Sequence, residues 1–473
     1  NTGLGGDLFA LIYDPKTDDF HGLNASGPAP VGVSLKRFSK RGYSEQIPPE
    51  SILSVTVPGA VCGWKKLLEK FGTISFDSSL EPAISYAKRG FPITELLSRE
   101  WRLEEGKLRR NQAESYLFNG EAPKPGTVMK NPKLASSLSI LARNGADSLY
   151  QGKLATQIIS ESKKRNGFLT ISDLESYEPE WVEPINTNYR GYTVHELPPN
   201  TQGIVALEAL NILEGFDLRS MQLNSAEYLH HLIESLKLAF ADGDKYISDP
   251  KYEEIPIDRL TSKKYADTRR SLINKQQANI FKQSGLMDIN SDTVYLSAVD
   301  EQGYMVSLIQ SLYKGFGTGI EVSDTGILLQ NRGALFSLDP SHKNSLEPKK
   351  RPYHTIIPAM LSKDGKPIMS FGVMGGKMHP QGHLQVLCNM IDFQLNPQKA
   401  IDTPRFRYLE NERIIVEERI SKEIQRQLER MGHIIIQDKQ PAFFGGGQAI
   451  WKSHENILYG GSDPRKDGCC EGY

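Results

Sequence analysis

The run Asp292-Thr293-Val294-Tyr295-Leu296-Ser297-Ala298-Val299-Asp300 organises the interpretation of this 473-residue chain. Its side chains alternate between the two faces of an extended strand, with the small and branched apolar residues on one face. Turn-forming residues follow at 300–303, and a second strand-like run occupies 305–311. The pattern predicts a β-hairpin whose first strand begins at Thr293.

Thr293 gains a chemical role if the chain is cut just ahead of it. The threonine would then carry a hydroxyl and an α-amine on one residue, and the amine, with a reference pKa of about 7.7 to 8, could accept the hydroxyl proton. The preceding polar segment, 262–290, fits either a tether that exposes the bond or a solvated helix. Taken alone, a threonine at this place is more commonly just the start of a strand.

Seven short motifs follow one another along the chain in a fixed order. They are Tyr-Ile-Ser-Asp-Pro (246–250), Asp-Thr-Val-Tyr-Leu-Ser-Ala-Val-Asp-x-x-Gly (292–303), Gly-Phe-Gly-Thr-Gly-Ile (315–320), Gly-Ile-Leu-Leu-Gln-Asn (326–331), Lys-Arg-Pro (350–352), Met-Gly-Gly (374–376) and Gly-Ser-Asp-Pro-Arg (461–465). Together they resemble the γ-glutamyltranspeptidase family, and the resemblance spans essentially the whole chain. Seven motifs in one order are far more specific than any one of them.

The resemblance implies a precursor that cuts itself between Asp292 and Thr293. In that family the threonine hydroxyl attacks the preceding carbonyl, and hydrolysis of the resulting ester frees the amine. The two pieces, here 1–292 and 293–473, fold together as an N-terminal-nucleophile hydrolase. The implied fold is an α/β (α+β) four-layer αββα sandwich in which both pieces form one intertwined domain, and this fits the helix and strand blocks on both sides of the junction.

The resemblance also implies catalytic roles for four residues. Thr293 is the nucleophile, and Ser311 is the hydroxyl that bonds its amine. Gly375 and Gly376 supply backbone N–H groups to the oxyanion, a position where the missing Cβ lets the backbone approach a reacting carbonyl. Without the family register, two glycines after a strand are usually a turn and Ser311 is a serine on a strand face.

Several positions depart from the family pattern on the substrate side. Ser26 occupies the register of the arginine that holds a substrate α-carboxylate, and Leu335 that of the aspartate that holds the α-amino group. His354 and Thr355 replace paired serines, and Tyr313 replaces an asparagine. Neither a serine nor a leucine can substitute for a charged partner of a zwitterion.

Arg332 is the candidate to replace the lost carboxylate contact from another side, with a surface arginine as the alternative. The predicted substrate-binding set is therefore Arg332, Tyr313, His354 and Thr355. The pattern is closest to γ-glutamyltransferase-like and cephalosporin-acylase-like proteins. We expect hydrolysis or transfer of γ-glutamyl or glutaryl-type acyl groups from small amides through an acyl-enzyme on Thr293.

Two rival functions remain open. His379 and His383 are four residues apart, as in a helical metal pair, which would make a metal-dependent amidohydrolase. The intervening Pro-Gln-Gly opposes a regular helix and the H-E-x-x-H glutamate is absent, so structural histidines are favoured and neither metal nor cofactor is expected. The other rival is an unprocessed relative that binds ligands without catalysis.

The composition of the chain limits the classes of partner that we expect it to bind. Lys+Arg number 56 and Asp+Glu 57, so no basic surface predicts nucleic-acid binding. No apolar run reaches the roughly 20 residues of a membrane span. We expect a small acyl-amide substrate and association of the two cleaved segments with each other, while a homodimer is left open.

Localisation stays unknown at this level. Cys62, Cys388, Cys469 and Cys470 lack zinc-ligand spacing and are interpreted as reduced thiols, which favours the cytoplasm. The Gly-rich start, 1–7, resembles an internal turn of the family, so a family-typical N-terminal segment, where a signal peptide would sit, is missing from this sequence.

Two helices are predicted with their caps. One begins after Asn224, which is expected to cap it, and carries an apolar stripe that includes Leu229, Leu236 and Phe240. The other spans 134–144 and is expected to end at Gly145.

Overall fold

The computed structural model describes residues 2–279, 293–409, 413–438 and 441–473. Thr293 belongs to this part, whereas Asp292, its predicted cleavage partner, lies outside the described residues. All four cysteines are free thiols. Within the described residues, no helix combines the length and apolar character needed to cross a membrane.

In the described part of the chain, the strands form two large sheets and three small ones. Their bounds are β1 Asp7–Asp14, β2 Asp19–Ala25, β3 Phe91–Pro92, β4 Val128–Met129, β5 Glu180–Val182, β6 Ile185–Tyr189, β7 Tyr192–Glu196, β8 Val294–Val299, β9 Met305–Ser311, β10 Glu321–Val322, β11 Ile327–Leu328, β12 Ala359–Lys363, β13 Lys366–Met374, β14 Phe406–Tyr408, β15 Arg413–Glu417, β16 Ile434–Asp438, β17 Gly446–Lys452 and β18 Leu458–Ser462. The large sheets have the orders β5-β2-β1-β9-β8 and β18-β17-β13-β12-β7-β6.

The helices lie outside the sheets. Their bounds are α1 Leu35–Ser39, α2 Ala60–Phe71, α3 Phe76–Arg89, α4 Glu95–Arg110, α5 Pro132–Asn144, α6 Ser148–Gln151, α7 Lys153–Lys164, α8 Ile171–Glu175, α9 Gly203–Leu213, α10 Ala226–Tyr246, α11 Ile257–Leu260, α12 Lys263–Arg270, α13 Met378–Ile391, α14 Pro397–Asp402 and α15 Lys422–Arg430. Short 3₁₀ turns occur at Ile52–Ser54, Glu114–Tyr116, Leu218–Ser220, Arg332–Leu335 and Pro441–Phe444.

The predicted hairpin is present and forms the edge of the five-stranded sheet. β8 and β9 pair antiparallel with Tyr295 opposite Ile309, and β9 then pairs with the fully buried β1. The buried face of β8 carries Tyr295, while Val294 and Leu296 on the other face are exposed. The hydrogen-bonded partner β9, rather than the apolar residues of β8, therefore fixes this edge strand in the sheet.

The two large sheets pack face to face through close contacts between β8, β9 and β13. A Cβ added to Gly372 would lie 2.5 Å from the Tyr295 ring, so only glycine lets the ring approach. Two residues further along, Ser297 Oγ lies 3.0 Å from Ser370 Oγ. The strands thus run in opposite directions across the interface, with the start of β8 facing the end of β13.

Helices cover the outer faces of both sheets. Trp64 and Leu67 of α2 pack on apolar residues of β1 and β2. The other sheet is covered by α9, α10 and α13, whose buried side chains join those of β12 and β13 in the largest core cluster. This arrangement confirms the predicted four-layer αββα sandwich.

Strands from both sides of residue 293 share each large sheet. β1, β2 and β5 pair with β8 and β9 in one sheet, and β6 and β7 pair with β12, β13, β17 and β18 in the other. Chain pieces divided at residue 293 would thus have incomplete sheets when separated. The division into 1–292 and 293–473 itself stays a prediction.

The helix caps correct one expectation and confirm another. Ser225, not Asn224, caps α10, because its side chain accepts the N–H of Tyr228. Asn224 instead has a φ of 57° and donates to the carbonyl of Pro404. Gly145, with a φ of 82°, ends α5 as predicted.

The polar run 262–290 contains a helix in its first part. α12 begins at a Ser262 cap, and Ala266 is its buried residue. This agrees with the solvated-helix interpretation for 263–270. Residues 280–290 lie outside the described residues.

Candidate active site

Thr293 lies at the entrance to β8 and is almost fully buried, with 3% of its surface exposed. Its Oγ1 donates to Ser311 Oγ at 3.2 Å. Ser311 ends β9, where its Oγ also accepts the backbone N–H of Tyr313 at 2.8 Å. The structure therefore brings together the two hydroxyls that the family register assigned to the nucleophile and its partner.

The Gly375-Gly376 turn follows the end of β13, which faces the start of β8. The φ angles of 133° and 64° at these residues lie in the region that favours glycine. The carbonyl of Gly376 is held by Gln202 Nε2 at 2.8 Å and by His379 Nδ1 at 2.5 Å. The turn is thus fixed in one orientation at the level of Thr293.

Gln202 is a positioning residue that the sequence did not reveal. Its Nε2 bonds the carbonyls of Gly376 and Thr355, and its Oε1 accepts the Tyr353 hydroxyl at 2.7 Å. It joins the glycine turn to the chain segment that carries Thr355. The sequence feature that could have revealed Gln202 is the polar Asn-Thr-Gln run in the loop ahead of α9, but this run resembles an ordinary turn.

Arg332 is completely buried, which contradicts the surface-arginine alternative. Its Nη1 donates to Thr355 Oγ1 at 2.7 Å, and its guanidinium carbon lies 4.4 Å from the centre of the Tyr313 ring. Tyr313 in turn is tied to Ser311, the partner of Thr293. Three of the four predicted substrate-binding residues therefore form one cluster beside the threonine.

His354, the fourth predicted residue, faces Asp7 rather than Thr355's hydroxyl. Its Nε2 lies 3.1 Å from Asp7 Oδ2, and both side chains are fully buried. Burial holds the pKa of His354 well below its usual range, and the nearby Arg332 guanidinium lowers it further. The ring is therefore neutral at physiological pH.

Asp7 is a second residue that the sequence analysis missed. The sequence feature that could have revealed Asp7 is the position of an acidic residue between a Gly-Gly pair and a wholly apolar strand. Burial raises the pKa of Asp7 to about 7, although the Arg332 guanidinium and several hydrogen-bond donors lower it. A carboxyl group that titrates near neutral pH therefore lies within the field of the buried arginine.

The family's two head-group positions contain no charge here. Ser26 is buried and donates to Asn24 Oδ1 at 2.7 Å, while Asn200 donates to Ser26 Oγ at 3.3 Å. Leu335 packs at the edge of the largest apolar cluster. An amide and hydroxyl network and an apolar side chain thus replace the charged groups.

His379 and His383 lie on the regular helix α13, so the predicted distortion was wrong. Pro380 falls in the first turn, where its missing N–H removes no helical hydrogen bond. The two rings have separate partners, Gly376 O for His379 and Glu196 Oε1, at 2.7 Å, for His383. Burial lowers the pKa of both histidines to about 3.

In the described part of the chain, the side chains close enough to share a metal ion are His230, Glu234 and His433, whose ligand atoms lie within 4.8 Å. The two rings bond each other at 2.8 Å, and Lys237 donates to Glu234 at 2.8 Å. The Lys237 ammonium group, which is itself buried, occupies the Glu234 carboxylate and opposes the binding of a cation there. The cluster fits a structural role better than a metal site.

Comparison with known proteins identifies the family. The model of the family described as Gamma-glutamyltranspeptidase matches residues 1–473. The chain belongs to the gamma-glutamyltranspeptidase family. Its fold is that of the N-terminal-nucleophile hydrolases of this family, and it is an enzyme of that family.

Relatives of this family member include hydrolases and acylases. It is 38% identical over 481 residues to the Glutathione hydrolase-like YwrD proenzyme of Bacillus subtilis, covering 100% of this chain and 90% of the relative. It is 32% identical over 489 residues to the Oxamate amidohydrolase proenzyme of Klebsiella pneumoniae, with 100% and 90% covered.

A solved structure agrees over the full chain. The cephalosporin acylase of Bacillus halodurans superposes with a TM-score of 0.93 at 42% identity, covering 100% of this chain and 88% of that one. This γ-glutamyltranspeptidase-family member therefore shares the fold of that acylase over the whole of its own given sequence.

Proposed function

We propose that this enzyme is an autoprocessed threonine N-terminal-nucleophile hydrolase that removes a carboxylate-bearing acyl group, of the glutaryl or γ-glutamyl type, from small amides. The observation that carries the proposal is the buried Thr293 hydroxyl, bonded to Ser311 and followed in the same cluster by the buried Arg332. The names of the two relatives, a glutathione hydrolase-like proenzyme and an oxamate amidohydrolase proenzyme, support processing and hydrolysis.

The first chemical step would be the maturation of the chain. The Thr293 hydroxyl attacks the carbonyl of Asp292, the C–N bond breaks, and water then cleaves the ester to leave a free amine on Thr293. Ser311 Oγ accepts the hydroxyl hydrogen bond and so orients the oxygen. The fragments expected from this reaction are 1–292 and 293–473.

The second chemical step would be acyl transfer. The new α-amine takes the hydroxyl proton as Oγ1 attacks the substrate amide, and the negative charge on the carbonyl oxygen is stabilised by the N–H groups of Gly375 and Gly376. The same proton then passes to the leaving amine. Water, or another amine, cleaves the acyl-enzyme and restores the hydroxyl.

Recognition of the acyl group would depend on Arg332. A buried guanidinium favours a carboxylate strongly, because water screens the pair little. Ser26 and Leu335 supply no charge to an α-carboxylate or α-ammonium in the family positions. An acyl chain with one terminal carboxylate, such as glutaryl, therefore fits better than a zwitterionic γ-glutamyl group.

The test combines intact mass with a panel of p-nitroanilides. Purified enzyme should show masses for 1–292 and 293–473, and should cleave the glutaryl compound faster than the γ-glutamyl compound. It should cleave the glutaryl compound much faster than the neutral valeryl compound, which has a methyl group in place of the terminal carboxylate. A single full-length species without turnover would instead indicate an unprocessed binding protein. Equal rates with the glutaryl and valeryl compounds would refute the anionic specificity.

A further inference from the structure

The Asp7 carboxylate is bound entirely by N–H groups. Its Oδ1 accepts the backbone N–H groups of Gly27 at 3.0 Å and Gly59 at 3.2 Å, and the Gln330 side-chain amide at 3.0 Å. Its Oδ2 lies 3.1 Å from His354 Nε2. One side chain at the start of β1 thus ties together four separate chain segments.

The tautomer of His354 follows from its other nitrogen. The N–H of Ile356 points at Nδ1 at 3.4 Å, so Nδ1 is the acceptor and the ring hydrogen sits on Nε2. Nε2 is then the fourth donor to Asp7. The four partners of Asp7 among the described residues are all donors, which fits the ionised form of a carboxyl group.

Charged and titratable groups around Asp7 come from several elements. Arg332 and His354 face it from the segments after β11 and before β12, and His379 of α13 acts on His354. Burial raises the pKa values of Tyr150 and Tyr177 well above their usual range, and the Asp7 charge raises them further, so both stay neutral. Arg332 is therefore the nearby group whose positive charge Asp7 offsets.

The geometry points to Asp7 as a positioning and specificity residue that sets how tightly the Arg332 cluster holds the carboxylate of an acyl donor. This inference rests on the proposed function and deepens it. When Asp7 is ionised, its charge reduces the attraction between Arg332 and an incoming anion; when it is protonated, the attraction is restored. Through His354 it also holds the segment that carries Thr355, the hydroxyl partner of Arg332.

Asp7→Asn tests the charge with little change of shape. We expect the KM for the glutaryl anilide at pH 8 to fall about fivefold, as expected for removing one buried like charge at an effective dielectric of about 20, with kcat within twofold. The KM for the valeryl anilide should not change. Between pH 6 and pH 8 the wild-type to variant KM ratio should rise, because Asp7 ionises in the wild type alone and the Thr293 amine titrates in both.

Asp14→Asn, at the opposite end of β1, is the matched control and should leave both KM values unchanged. If Asp7→Asn does not fold, Gln330→Met removes one donor to the carboxylate and should move the midpoint of the pH dependence to higher pH. A ratio independent of pH and of acyl charge would overturn the inference.

The two proposals fail in different ways. Suppose that Arg332→Gln raises the KM for the glutaryl anilide and leaves the KM for the valeryl anilide unchanged, while Asp7→Asn changes neither. The role of Asp7 is then refuted and the proposed function stands. If Arg332→Gln raises the KM for both anilides equally, the specificity for an anionic acyl group is refuted, and the role of Asp7 is refuted with it.

Discussion

The two sides of the active site use different kinds of groups. On the side of the proposed nucleophile, called the nucleophile side below, Thr293, Ser311 and the glycines at 375 and 376 offer hydroxyls and backbone amides, which are uncharged. On the acyl side, Arg332 and Asp7 bring buried ionisable groups within each other's field. The difference suggests that the chemistry depends on position and the recognition depends on charge, and each can be perturbed without the other.

Thr293→Ala should have the largest effect. Without the hydroxyl neither maturation nor acyl transfer can occur, so we expect one full-length species and a loss of turnover of about 10⁴-fold or more. Intact mass and anilide hydrolysis measure the two outcomes. Thr293→Ser keeps the hydroxyl and should retain both at a reduced rate, and full activity in the alanine variant would exclude this nucleophile.

Arg332→Gln should affect recognition alone. Losing a charge-assisted contact of about 1.5 to 3 kcal/mol raises the KM for the glutaryl anilide by about 10- to 100-fold. The chain should still be processed, and the valeryl anilide should keep its KM. A variant that stays uncut would show that this buried arginine serves the nucleophile side as well, which would break the division between the two sides.

Ser311→Ala should act on the other side and more weakly. The Thr293 hydroxyl loses its 3.2 Å partner, so kcat should fall about tenfold with little change in KM for either donor. Processing should slow as well, since the same oxygen is the nucleophile there. Ser311→Thr retains the hydroxyl and should recover most of the rate; a change confined to KM would contradict the assignment.

The nucleophile side was more predictable from sequence than the acyl side. The alternation after Thr293 and the Gly-Gly pair after an apolar strand are local patterns, and the family order gave them roles. Asp7 and Gln202 have no local pattern, because the partners of Asp7 lie 20 to 347 residues away in sequence and those of Gln202 lie 151 to 174 residues away. Only the packing of the sheets makes an acidic residue in a Gly-rich turn a neighbour of Arg332.

The fold shows the same limit on a smaller scale. The hairpin, the αββα layers and the Gly145 cap follow from periodicity, turn residues and the family resemblance. The observed cap of α10, Ser225, lies one residue after the predicted cap, Asn224. Both side chains are of a type that can cap a helix, and the φ of 57° at Asn224 is what excludes that residue. The expectation that Pro380 would oppose a regular helix was wrong because α13 begins at Met378, which places Pro380 in its first turn.

A second buried acid sharpens the contrast with Asp7. Glu196 Oε1 lies 2.7 Å from His383 Nδ1, both are fully buried, and burial raises the pKa of Glu196 well above its usual range. Burial also lowers the pKa of His383, so it disfavours the charged form of both members of the pair. Such a pair contributes to packing rather than to anion recognition.

Glu196→Gln should therefore stabilise the fold without altering either KM. Wild-type Glu196 keeps its proton in the folded state but loses it on unfolding above about pH 4.5, so its contribution to stability declines as pH rises from there. Glutamine has no such proton, and its free energy of unfolding should exceed that of the wild type by an amount that grows by up to about 1.4 kcal/mol per pH unit. Denaturant titrations at pH 5 and pH 8 measure the difference. Asp7→Asn should show a gain in the free energy of unfolding of the same sign between about pH 4 and 7, but it should also change the KM for the glutaryl anilide. A change of KM in Glu196→Gln would mean that charge recognition extends beyond the Arg332 cluster.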